Sequence, residues 1–187
     1  MTLIFLGLLL WTATHWMKRL APGLRARLTN RYGEQGSRGF ISGAILISIA
    51  MMTVGYKNAD LTFVYELPGW VRGVNNLLML LVMMLMGMGR SRGRLRAALR
   101  HPMLTGVVVF AIAHLLVNGD VPSLVLFGGL GLWALITIRI INAQDGTWTR
   151  PEPGPISGDV KLFVIALVIY AIIAGLHMLL GPNPFVA

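Results

Sequence analysis

The sequence predicts an all-α fold: a polytopic membrane bundle of six transmembrane helices, with the N- and C-termini both outside. Three observations predict it. Hydrophobic residues fill 56% of the 187 positions and charged residues only 12%, about half the ~25% charge of a soluble domain. The apolar residues lie in uninterrupted blocks, most of them long enough to cross a hydrocarbon core of about 30 Å. The basic residues gather in two short stretches, 18–38 and 89–100, which the positive-inside rule places together on the cytoplasmic face. That distribution accounts for the net charge of +9 without a nucleic-acid partner; the expected partner is a lipid bilayer. There is no cysteine, which excludes a disulfide framework, a thiolate metal site and a cysteine nucleophile. The length suits one membrane domain over residues 1–187.

The first helix is expected over about 2–17. Lys18 and Arg19 follow this apolar run rather than precede it, the order of a retained helix rather than a cleaved signal peptide. The stretch 18–38 carries six basic residues against Glu34 and is expected as a cytoplasmic loop. The second helix covers about 39–56, where Gly39 and Gly43, with Ala44 and Ser48 beyond, offer a small-residue face to another helix. An outer loop to Pro68 holds Asp60 and Glu66, and Tyr65 and Trp70 suit an interfacial aromatic belt.

The third helix is expected over 68–88, with Arg72, Asn75 and Asn76 in its outer part and a methionine run at 79, 83, 84, 86 and 88. Thioethers ligate haem or copper, but they fill irregular packing more often. The second basic stretch has five arginines and no acid. The fourth helix, about 102–117, begins after Arg100-His101-Pro102 and ends at Asn118-Gly119-Asp120, where glycine suits the residue after the helix end and Pro122 the next first turn. The fifth, about 121–141, carries Gly128, Gly129 and Gly131 for close packing. Three prolines make 142–158 stiff and extended. The sixth helix covers about 160–180 and ends at Gly181-Pro182.

The candidate site residues are the four histidines, His15, His101, His114 and His177, because ionisable groups at membrane depth are costly. At about 1.5 Å per residue, His101 sits at the inner face and His114 beyond mid-membrane. His177 lies toward the outer side and His15 toward the inner. His101 and His114 are thirteen residues apart, some 140° around the helix, so they cannot share one iron. Depth lets His114 pair with His177 or with His15, slightly preferring His177. Without cysteine, imidazole is the natural iron ligand. The alternative is that the histidines only bond neighbouring helices.

His15 followed by Arg19-Leu20-Ala21-Pro22-Gly23-Leu24-Arg25, then Arg100-His101-Pro102-Met103-Leu104-Thr105-Gly106, then Ala113-His114-Leu115-Leu116-Val117-Asn118-Gly119-Asp120, and Gly175-Leu176-His177 together resemble the NnrU family of bacterial membrane proteins. The resemblance covers essentially the whole chain. It implies an inner-membrane protein of denitrification and nitric-oxide metabolism, and a relationship to plant zeta-carotene isomerase, a haem b enzyme. By that resemblance the cofactor is haem b, its iron ligands map to His15 and His114, and the small-molecule partner is nitric oxide or an apolar polyene. The chemistry implied is redox or isomerase-like.

Two other readings stand beside it. One is a cofactor-free scaffold or assembly factor for denitrification enzymes. The other is a membrane methyltransferase, because Arg-His-Pro-x-Tyr-x-Gly helps hold S-adenosylmethionine in such enzymes. Here Leu104 replaces the tyrosine, and nothing acidic lies between Asp120 and Asp145. There is no H-E-x-x-H zinc motif, no G-x-S step at Ser42 and no carboxylate pair within a helix.

Overall fold

A computed structural model describes residues 1–181 and 183–185. Six α-helices run in order: α1 (Thr2–Leu20), α2 (Pro22–Lys57), α3 (Val71–Met88), α4 (Pro102–Val117), α5 (Val121–Asp145) and α6 (Ile156–Leu180), with a short 3-10 turn at Leu95–Ala97. Four of them, α2, α3, α5 and α6, are long and apolar enough to cross a membrane. Only 17–22% of their apolar windows is buried within the protein, so their outward apolar faces require lipid rather than water. The other two expected crossings are the less typical ones: α4 is apolar but only 16 residues long, and α1 falls outside that set. The expected helix end at Gly181-Pro182 is described only as far as Gly181.

The expected loop 18–38 is mostly helix. Pro22 opens α2 at its first turn, where a missing N–H costs nothing. The helix breaks at Gly33, with φ 71° and ψ 173°, a conformation that only glycine adopts readily. Across the break, Arg25 Nη1 donates to Ser37 Oγ (2.6 Å) and to Ser37 O (3.3 Å). The fully buried Ser37 thus pins the basic segment to the start of the apolar one. The charge pattern marked this segment as polar, but backbone hydrogen bonding makes it a helix, and Gly33 interrupts that helix before the apolar one.

The chain forms two compact units. The first comprises Met1–Phe63 with Asp120–Gly129, and here α1 packs along α2. The contact is made by small residues, but not at Gly39 or Gly43, which face open space. A Cβ on Gly7 would meet Met52 Cγ at 2.6 Å and Ser48 O at 2.9 Å, and one on Gly55 would meet Ile4 N at 2.8 Å. One glycine from each helix lets the two backbones approach, with Ile4 and Ser48 fully buried between them. Of the α5 glycines in this unit, Gly129 receives Leu8, whereas Gly128 faces open space.

At the start of α5, Asp120 acts as the N-cap. Its Oδ1 accepts the Ser123 N–H (2.8 Å) and its Oδ2 the Ser123 hydroxyl (2.7 Å). Because that hydroxyl already donates to Asp120, Tyr56 must be the donor to Ser123 Oγ (2.9 Å). The relay Tyr56–Ser123–Asp120 satisfies a buried carboxylate, which is otherwise costly. Thr62 O and Val121 N also join in this unit, at 2.9 Å.

The second unit comprises Val64–Gly119 with the chain from Leu130 onward. Here α3 packs against both α4 and α6, around Leu85, Met88 and Leu162 with Leu95 and Val109. Met88 is therefore a packing residue. At one end, the Val64 and Tyr65 amides donate to Gly119 O (2.8 and 3.3 Å), and the Tyr65 hydroxyl donates to Leu115 O. Tyr65 thus ties the loop after α2 to the end of α4, while Trp70 is exposed. Gly119 does not take the left-handed conformation expected of it. Its role is proximity, since a Cβ there would lie 1.9 Å from Tyr65 O.

The proline-rich segment is held against the second basic loop. The Asp159 carboxylate accepts the amides of Arg94 and Leu95, both at 3.0 Å. A Cβ on Gly154 would fall 1.8 Å from Arg92 O. Helix α5 runs on to Asp145 and α6 begins at Ile156, so the irregular link is shorter than the expected 142–158.

Two outcomes follow from these contacts. Gly7→Leu and Gly55→Leu should each destabilise the detergent-solubilised protein by about 1–3 kcal/mol through overpacking, while Gly39→Leu and Gly43→Leu stay within about 0.5 kcal/mol. Equal losses in thermal melts at all four sites would refute this helix contact. Asp159→Ala removes two charge-assisted bonds, each worth roughly 1.5–3 kcal/mol, and should speed tryptic cleavage after Arg92, Arg94 and Arg96. Unchanged cleavage would mean that other contacts hold the loop.

Candidate functional site

Three of the four histidines share one local arrangement. In α1, His15 Nδ1 lies 2.8 Å from Trp11 O. In α4, His114 Nδ1 lies 2.9 Å from Phe110 O, and in α6, His177 Nδ1 lies 3.2 Å from Ile173 O. Each partner is the carbonyl four residues earlier, which the helix places on the same face. A carbonyl oxygen only accepts, so Nδ1 carries the proton. The neutral ring then keeps its lone pair on Nε2. This is the tautomer in which a protein presents imidazole to a metal, with the distal N–H fixed by a backbone carbonyl.

The orientation is reinforced by stacking in two of the three. The His15 ring lies against Trp11 with centroids 4.1 Å apart and planes tilted by 35°. The His114 ring lies against Phe110 at the same 4.1 Å, tilted by 44°. An aromatic residue four positions before the histidine is the signal that sequence reading could have used and did not.

His101 is different. It is the N-cap residue of α4, and its Nε2 donates to Asn142 Oδ1 at 2.8 Å, with Arg100 Nη1 bonded to Gly146 O at 2.6 Å. The nitrogen that the other three histidines leave as a lone pair is here the donor, and Asn142, not singled out in the sequence, fixes it. His114 and His177 both belong to the second unit. His15 belongs to the first unit. Among the described residues, no three histidine, aspartate or glutamate side chains gather as a chelating group. A metal held by a pair of imidazoles needs no such group.

Near the other end of α3, Asn75 is buried and its Oδ1 has no hydrogen-bond partner among the described residues, while Asn76 Nδ2 donates to Pro184 O at 3.1 Å. The family model of the NnrU protein matches residues 3–184. The chain belongs to the NnrU family. The match takes in all six helices and all four histidines of this NnrU-family chain. No curated protein and no solved structure matches it.

The histidine tautomers are directly measurable. Solid-state NMR on 15N-histidine-labelled, cofactor-free protein in lipid at pH 8 should give Nδ1-protonated rings for His15, His114 and His177 and an Nε2-protonated ring for His101. Nε2 protonation at His114 would remove the geometric basis for a ligand there.

Proposed function

We propose that this NnrU-family protein is a haem b protein of the bacterial inner membrane, its basic loops facing the cytoplasm, acting in nitric-oxide and nitrite metabolism. The observation that carries the proposal is the backbone-anchored imidazole of His114, oriented by Phe110, with the proton on Nδ1 and the lone pair on Nε2. His114 would be one ligand of the iron, and the second would be His177, which belongs to the same unit, or His15, favoured by the family resemblance and by its matching bond and stack on Trp11. Haem b, when bound, supplies an iron that exchanges electrons and binds nitric oxide.

The protein's own contribution is to hold the rings in one tautomer and one orientation, in a region where lipid excludes water. A ring anchored in this way loses little freedom on ligation. Isomerase-like chemistry on an apolar polyene would use the same group and the same dry surroundings.

A second reading rests on the same bonds. An imidazole that donates to its own helix has already met its costliest demand, so the histidines of a cofactor-free scaffold would have the same Nδ1 geometry.

A reduced-minus-oxidised absorption spectrum of detergent-purified protein, with a pyridine haemochrome assay, separates the two. A stoichiometric b-type signal, lost in His114→Ala and altered in either His177→Ala or His15→Ala, is expected. A colourless protein from haem-replete cells would favour the scaffold. A coloured protein unchanged by His114→Ala would remove His114 as a ligand.

A further inference from the structure

The end of the second unit that carries the basic loop contains a cavity of about 340 Å³, where α3 ends and α4 begins. Part of its lining is cationic, from Arg90 and Arg100, with His101 beside them. Another part is apolar, formed by Met86, Met103 and Leu104. No acidic residue lines it. Arg100 spends one guanidinium nitrogen on Gly146 O, and most of its five N–H donors remain available. The amide of Arg90 donates to Gly87 O (3.1 Å), and the residue is exposed. His101 is held in place by Asn142.

Two arginines lining one cavity without a carboxylate match a phosphate group, which accepts paired N–H bonds. The apolar wall asks for something a free phosphate lacks. Met103, at the start of the apolar α4, is 53% exposed, so the wall continues onto a face suited to lipid. A ligand with a phosphate at one end and hydrocarbon at the other fits both walls. The depth is also right, because positive-inside loops lie among the head groups of the cytoplasmic leaflet.

We propose that this cavity is a specific site for an anionic phospholipid of the inner leaflet. Arg90 and Arg100 grip the phosphate, and Met86, Met103 and Leu104 receive the start of an acyl chain. The site is separate from the histidine pair of α4 and α6 and does not depend on haem.

The test is native mass spectrometry of the full-length protein, titrated with phosphatidylglycerol or with phosphatidylcholine of the same acyl chains. Wild type should retain phosphatidylglycerol preferentially, and Arg90→Gln or Arg100→Gln should each weaken that retention roughly fivefold. Arg96→Gln, in the same loop but not lining the cavity, should bind as wild type does. If Arg100→Gln misfolds through loss of its bond to Gly146, the exposed Arg90→Gln carries the test. Equal retention of the two lipids, or an equal loss in Arg96→Gln, would overturn the site as diffuse surface charge. Displacement of the lipid by millimolar inorganic phosphate would overturn the lipid occupant in favour of the free anion. Displacement by S-adenosylmethionine would reassign the cavity to that cofactor.

Discussion

Inside a bilayer every hydrogen-bonding group must find its partner within the protein, and most of this chain's architecture follows from that constraint. The helices satisfy their own backbones. The polar side chains that remain at depth mostly turn back to the same backbone. His15, His114 and His177 each bond the carbonyl four residues earlier, and Thr14 and Thr137 do the same. For threonine this is only concealment of a hydroxyl. For histidine it has a chemical consequence, because a proton settled on Nδ1 fixes the tautomer of the ring.

With no hydrophobic gain from joining apolar helices in an apolar solvent, packing depends on close fit. Gly7 and Gly55 provide it between α1 and α2, where any Cβ would strike backbone atoms. In the second unit Gly106 receives Leu85 and Met86, and Gly87 receives Leu162. Gly39, Gly43 and Gly128 also lie within helices, yet they face open space.

The ends of the helices obey different physics, because acidic residues can be used there. The chain has only seven. Asp120 caps α5 and anchors a relay to Tyr56. Asp159, in the first turn of α6, collects two amides from the second basic loop. That loop, with its arginines, is thereby shaped rather than merely solvated, and a shaped basic loop beside apolar residues can form a cavity with two kinds of wall.

The sequence by itself determined the class, the family and the number of helices. Composition, block length and the clustering of arginine are sums over many residues, and no single contact can overturn them. It also marked the histidines, since four ionisable rings in so apolar a chain stand out without coordinates. It misjudged 18–38, where charge density concealed a helix ended by Gly33, and it assigned to Gly119 a dihedral role where the need is closeness to Tyr65. Only the tertiary structure decided which glycines meet another helix, which nitrogen of each histidine is tied down, and that Arg90, Arg100 and His101 share a cavity with Met86. These depend on the rotation of one helix about its axis relative to its neighbour. In α4, α5 and α6 the apolar residues surround the helix, so hydrophobic periodicity carries almost no information about that rotation, and close packing of particular atoms sets it instead.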